Sequence, residues 1–171
     1  MLLTWSLLLS TPRVDDAGTD ANVSCNLLYQ PINDGDRSKL HTGASFDLSG
    51  SFEQNSDAYN TLKDDCPDGF ELCGIELWHD NTGNKPGWMV AVINITPLGT
   101  IPVDGIYSFT LTPSNAWIAA DEPGSSVWRN PAEGNKIDYV SRRFWFKDGP
   151  TIVADNSRLT HKGDTIGTVG G

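Results

Sequence analysis

A chain of 171 residues and 18.6 kDa has the length of one ordinary domain, enough to bury a core without disulfide or metal staples. Its net charge of -10 repels phosphate backbones, and no stripe of lysine and arginine offsets that field, so nucleic acid is excluded as a partner. With 17 glycines and 10 prolines the chain must turn often, which favours a β-rich fold over a helical one.

The opening MLLTWSLLLS is apolar but has no basic leading region and no small-residue cleavage site, so residues 3 to 10 read as a first strand. On that reading a secretory leader is either lacking or already removed. No apolar run reaches the roughly 18 residues of a membrane span. Further strands are expected at residues 21 to 30, 38 to 45, 56 to 62, 71 to 80, 88 to 96, 106 to 112 and 116 to 120, each rich in β-branched, aromatic or leucine residues and bounded by Gly, Pro, Asn and Asp. Asp34-Gly35 marks a hairpin turn between the second and third. In WMVAVINIT the alternation sets Met89, Ala91, Ile93 and Ile95 toward the core and Val90, Val92 and Asn94 away from it. Asn94 and Asn22 each open a glycosylation tripeptide.

Of the three cysteines, Cys66 and Cys73 are close enough in sequence to suggest a loop-closing bridge, and their spacing fits no zinc signature. Cys25 reads as a small buried hydrophobe. From about residue 121 the strand pattern gives way to polar loop residues with isolated aromatics, an irregular extension that would lie on the domain or on a partner. Within it Trp128, Arg142, Arg143, Phe144 and Trp145 have the residue types that anchor protein interfaces.

Two polar loops carry the chemistry. DAGTDANV follows the first strand, and WHDNTGNKPGWMVAVINI follows a strand ending in GIELW; YSFTLTPSNAW comes later. In this order and spacing, with Trp78, Trp88 and Trp117, the motifs resemble the PLAT domain shared by polycystins, lipoxygenases and clostridial alpha-toxin, over residues 3 to 118. The resemblance implies an all-β, eight-stranded antiparallel sandwich of two four-stranded sheets over residues 1 to 120, with no catalytic centre, that docks on proteins or membranes. It also implies that the two loops converge at one pole and hold Ca²⁺, with the Asp16 carboxylate, main-chain oxygen of Gly18 or Thr19, Asp80 and Asn81 as ligands. Hard oxygen donors around a glycine-containing turn are what that ion takes.

Asp16 and Asp20 have a plainer use as turn-forming residues, Asp20 more so than Asp16. His79 reads as a hydrogen-bonded loop residue and the three tryptophans as core. The family's second calcium position falls on LHTGASFDLSGSF, where His41 and Thr42 replace the usual acidic pair and only Asp47 is near, so one site at most is expected. Phe46 and Phe52 in that stretch are the candidates for a tip that touches lipid. No GxSxG elbow, HExxH helix or phosphate-binding glycine loop is present, and His41, His79 and His161 are the only histidines, so neither catalysis nor a small-molecule substrate is expected. Two functions stay open: docking within a larger protein assembly, and calcium-dependent binding to lipid headgroups. Either would place the chain inside an assembly or at the periphery of a membrane.

Overall fold

A computed structural model describes residues 1–32, 39–99 and 108–146 in full and the backbone of 166–169. Its regular elements are β1 (Leu2–Thr11), β2 (Val23–Pro31), β3 (His41–Asp47), β4 (Ser56–Asp65), β5 (Phe70–His79), β6 (Trp88–Val90), β7 (Val92–Leu98), β8 (Phe109–Leu111), β9 (Ala116–Ile118), β10 (Ser126–Asn130), β11 (Lys136–Trp145) and β12 (Ile166–Val169). One short 3-10 turn, Pro131–Glu133, joins β10 to β11. No helix among the described residues is long and apolar enough to cross a membrane. The turn expected at Asp34-Gly35 lies outside the described residues, as does the start of the strand expected at 106 to 112.

The strands form an antiparallel sandwich. A four-stranded sheet in the order β4-β1-β7-β8 faces a six-stranded sheet in the order β12-β10-β11-β5-β2-β3, and β6 and β9 make a separate ribbon. In β1 the alternation is clean: Trp5, Leu7, Leu9 and Thr11 are buried while Thr4, Ser6, Leu8 and Ser10 face outward. The core between the sheets gathers Trp5, Leu7 and Leu9 with Leu27, Ile75, Leu77, Trp88, Ile93, Ile95, Val140 and Phe144. Among the buried polar groups, the Asp64 carboxylate accepts from the Tyr29 hydroxyl at 2.8 Å and the Ala44 amide at 3.1 Å, so that β2, β3 and β4 are tied at one point.

The all-β sandwich is as expected, but the sheets are not two of four. The chain beyond residue 121, expected to be irregular, supplies β10 and β11, and β11 pairs along β5 with Val140 opposite His79 and Phe144 opposite Ile75. With β2 on its other edge, β5 is central, which is why it is buried from Glu71 to His79. Residues 126–145 thus belong to the sheet.

The strand expected at 88 to 96 is two strands, because the chain leaves the ribbon at Ala91, whose amide donates to the Ser10 carbonyl at 2.8 Å, and joins β1. Ile93 and Ile95 point to the core as expected, yet Val90 is buried and Ala91 only half-buried: the alternation does not run through the break. All three cysteines are free. Cys66 belongs to the core between the sheets, while Cys73 sits with Leu28, Trp78, Trp128 and Tyr139 in a second cluster on the other face of the six-stranded sheet, so the suggested bridge does not form. Burial pushes the Cys66 thiol up to about 11 and raises that of Cys25 further.

Candidate functional site: the loop pole

Residues 12–22, between β1 and β2, and residues 80–87, between β5 and β6, meet at one end of the sandwich. The first loop turns tightly, with the Ala17 amide donating to the Val14 carbonyl at 3.1 Å and Asp16 at φ 63, a conformation that Asp tolerates better than most residues. Gly18 presses on the backbone of residues 53 and 54. A β-carbon there would lie 2.6 Å from the Gln54 amide nitrogen, which explains the glycine. Thr19 then clamps the loops: its hydroxyl donates to the Pro86 carbonyl at 2.7 Å and accepts from the Ala21 amide at 3.1 Å.

Asp16, Asp20 and Asp80 each have a partner from the chain itself. Asp16 takes the Lys85 ammonium at 2.8 Å, and that hydrogen bond and charge hold its pKa below the usual carboxylate value. Asp20 accepts from the amides of Asn84 at 2.8 Å and Lys85 at 3.0 Å, which lowers its pKa as well. Asp80 accepts from the Asn22 side-chain amide at 2.6 Å, the Asn22 backbone amide at 3.1 Å and the hydroxyl and amide of Thr82 at 2.5 and 3.2 Å. Partial burial raises the Asp80 pKa, and those bonds outweigh it and hold the group below its ordinary value. Asn81, at φ 56, donates its backbone N–H to Nδ1 of the buried His79 at 3.1 Å, and Nε2 of that ring lies 2.8 Å from the Ile118 carbonyl. Nδ1 accepts and Nε2 donates, so the ring is neutral; burial lowers its pKa.

These residues do not fit a calcium shell as they stand. The oxygens of Asp20 and Asp80 are committed to N–H and O–H donors, and a cation of the chain's own lies on Asp16. No group of three or more His, Cys, Asp or Glu is placed to hold a metal among the described residues. An open pocket of about 390 Å³ borders Asp80, Asn81 and Thr82 with Lys136, Ile137 and Asp138. Lys85 and Thr82 carry no signal in the sequence, where they look like ordinary members of Gly/Asn-rich turns, and Asn22 stands out there only as the start of a glycosylation tripeptide.

The other expected contact residues are displaced from their roles. Phe52 does not form an exposed tip: its carbonyl accepts from the Thr19 amide at 3.0 Å, and its ring is buried edge-on against Trp88 at 5.3 Å. Phe46 is half-buried against the core. Trp128 is fully buried, stacks on Tyr139 and donates to the Ser141 hydroxyl at 3.1 Å. Phe144 is core, and Arg143 forms a buried ion pair with Glu76, Nε to Oε1 at 3.2 Å, beside the half-buried Trp145. Arg142 donates to the carbonyls of Trp117 and Pro123 at 3.2 and 3.3 Å. The expected grip on a partner is thus largely internal. Trp78 and Trp88 are buried as expected, while Trp117 is only half-buried on β9.

No protein-family model matches the chain. Over 140 residues, 80% of its length, the chain is 30% identical to Lipoxygenase homology domain-containing protein 1 of Mus musculus, and over 134 residues it is 31% identical to the Homo sapiens protein of that name. It spans 6% of the length of either relative. A crystal structure of Delta413-417:GS LOX shares the fold with a TM-score of 0.56 at 18% identity, covering 92% of this chain and 19% of that one. Coral 8R-lipoxygenase, described in terms of calcium activation via a C2-like domain, gives 0.53 at 19% identity over 91% of this chain and 19% of its own. Loop motifs, sandwich and relatives agree: the chain belongs to the PLAT, or lipoxygenase-homology, domain family.

Proposed function

We propose that this PLAT domain is a non-catalytic module that docks on a protein partner within a larger assembly through the outer face of its four-stranded sheet. The observation that carries this reading is the character of that face. Tyr59 on β4 and Leu98 on β7 are 67% and 49% exposed, and the outward residues of β1 between them are Thr4, Ser6, Leu8 and Ser10. In a chain of net charge -10, this strip of hydroxyl and apolar groups, bordered on β4 by Asp57, Lys63 and Asp65, is a surface from which water is readily displaced. The small share of its relatives that the chain spans suits a module that works beside other domains.

The test is purification of the tagged protein with its bound partners from its own cells, beside Tyr59→Asp and Leu98→Asp variants whose melting temperatures match the parent. A partner kept by the parent and lost from both variants is the expected result; equal retention would place the contact elsewhere. Calcium-dependent lipid binding is the competing function, favoured by what is said of the coral lipoxygenase. Sedimentation with phosphatidylserine vesicles separates the two, since docking on protein leaves the domain in the supernatant with CaCl₂ and with chelator alike.

A further inference from the structure

We propose that Lys85 is a built-in cation, its ammonium standing where the loop motifs call for a metal ion, so that the pole closes without calcium.

Three contacts made by this one residue support the assignment. Its amide donates to Asp20 Oδ1 at 3.0 Å, its carbonyl accepts from the Asp20 amide at 3.4 Å, and its Nζ reaches Asp16 Oδ1 at 2.8 Å. The backbone of Lys85 is thereby pinned to one acid of the first loop while its side chain crosses to the other. The surrounding turn is shaped for this. Gly83, at φ 87, leaves room for the Asp20 carboxylate, where a β-carbon would lie 2.4 Å from Oδ1, and Asp16 holds its own positive φ opposite the lysine. Asp16, Asp20 and Glu53 all act on the ammonium, Asp16 most through its hydrogen bond and charge, raising its pKa, so the lysine is charged together with the acids through the neutral pH range.

A bridging Ca²⁺ has to gather carboxylates from separate loops and cancel their repulsion. Lys85 performs the second task with one charge, and in place of the first it ties both acids of the first loop to the second, Asp20 through its backbone and Asp16 through its side chain. The ammonium is a compact point charge on a flexible stem, suited to this without the strict geometry a metal imposes. Both Lys85 and Asp16 are well exposed, so the pair itself contributes little to stability, and simple removal of the lysine is a poor test. Its effect is on the sign of the local field.

The experiment is thermal unfolding of the full chain in CaCl₂ and in chelator, for the native protein, Lys85→Arg and Lys85→Glu. The native protein and Lys85→Arg are expected to melt at the same temperature in both. Lys85→Glu places a further carboxylate among Asp16, Asp20 and Glu53; it is expected to melt lower in chelator and to regain temperature as CaCl₂ is added, as a ligand that binds only the folded state requires. A calcium-dependent rise in the native protein would overturn the proposal, since metal would then occupy the pole despite the lysine. So would a Lys85→Glu variant blind to calcium, which would reduce Lys85 to an ordinary surface ion pair. Neither outcome bears on the docking face, which is on the four-stranded sheet.

Discussion

At the scale of single residues, buried polar groups decide more than the exposed acids do. Asp64 is the acceptor for both the Tyr29 hydroxyl and the Ala44 amide, and it has little access to water. Asp64→Ala orphans two donors and is expected to cost about 1–3 kcal/mol by urea denaturation, and Tyr29→Phe less, about 1 kcal/mol, because only one partner is then removed. His79 predicts a pH dependence. Burial holds its pKa below the usual 6.5, so the unfolded chain takes up a proton below that pH which the folded chain refuses. Its contribution is full above 6.5 and is lost as pH falls through the window beneath. Asp16, Asp20 and Asp80 have lowered pKa values, so their contribution persists down to the usual 3.8 and is lost only below it. The urea midpoint is therefore expected to drop between about pH 7 and about pH 5, and His79→Gln to flatten that slope.

At the scale of elements, the join of β11 to β5 carries the structure beyond an eight-stranded plan. Gly74 marks how close the two strands run: a β-carbon there would lie 2.6 Å from the Phe144 carbonyl and 2.9 Å from the Trp145 ring. Gly74→Val is expected to push β11 outward and to cost about 1–3 kcal/mol, as overpacking does, with weakened exchange protection of the β5 and β11 amides as its local sign. The buried pair of Glu76 and Arg143 crosses the same seam and fixes its register. What looked like an interface cluster in SRRFWF is one strand with a core side, Val140 and Phe144, and a second side, Tyr139, Ser141 and Arg143, packed around Trp128 and Glu76.

At the scale of the molecule, the sandwich is closed by chain that comes last. A truncation after residue 122 deletes β10 and β11, strips one edge from β5 and opens the core at Val140 and Phe144. That product is expected to lose cooperative unfolding and the dispersion of its amide resonances, so no partner assay on it would be informative. An unchanged melting temperature would instead make the hairpin an appendage that the rest of the sandwich does not need.

The sequence by itself determined the fold class and the two loops. A period of two in runs such as TWSLLLS is a local property, and Gly, Asn and Asp mark turns through their own backbone preferences. Alternation tells which residues share a face, and nothing about what lies opposite. Only the tertiary structure decided that β11 borders β5, that Phe52 turns inward onto Trp88, that Asp80 is satisfied by Asn22 and that Asp16 faces Lys85, 69 residues away. Each of those depends on a partner distant along the chain. The polar residues of β11 and the acids of the loops therefore read as surface or as ligands until folding brought them the donors, rings and charge that occupy them.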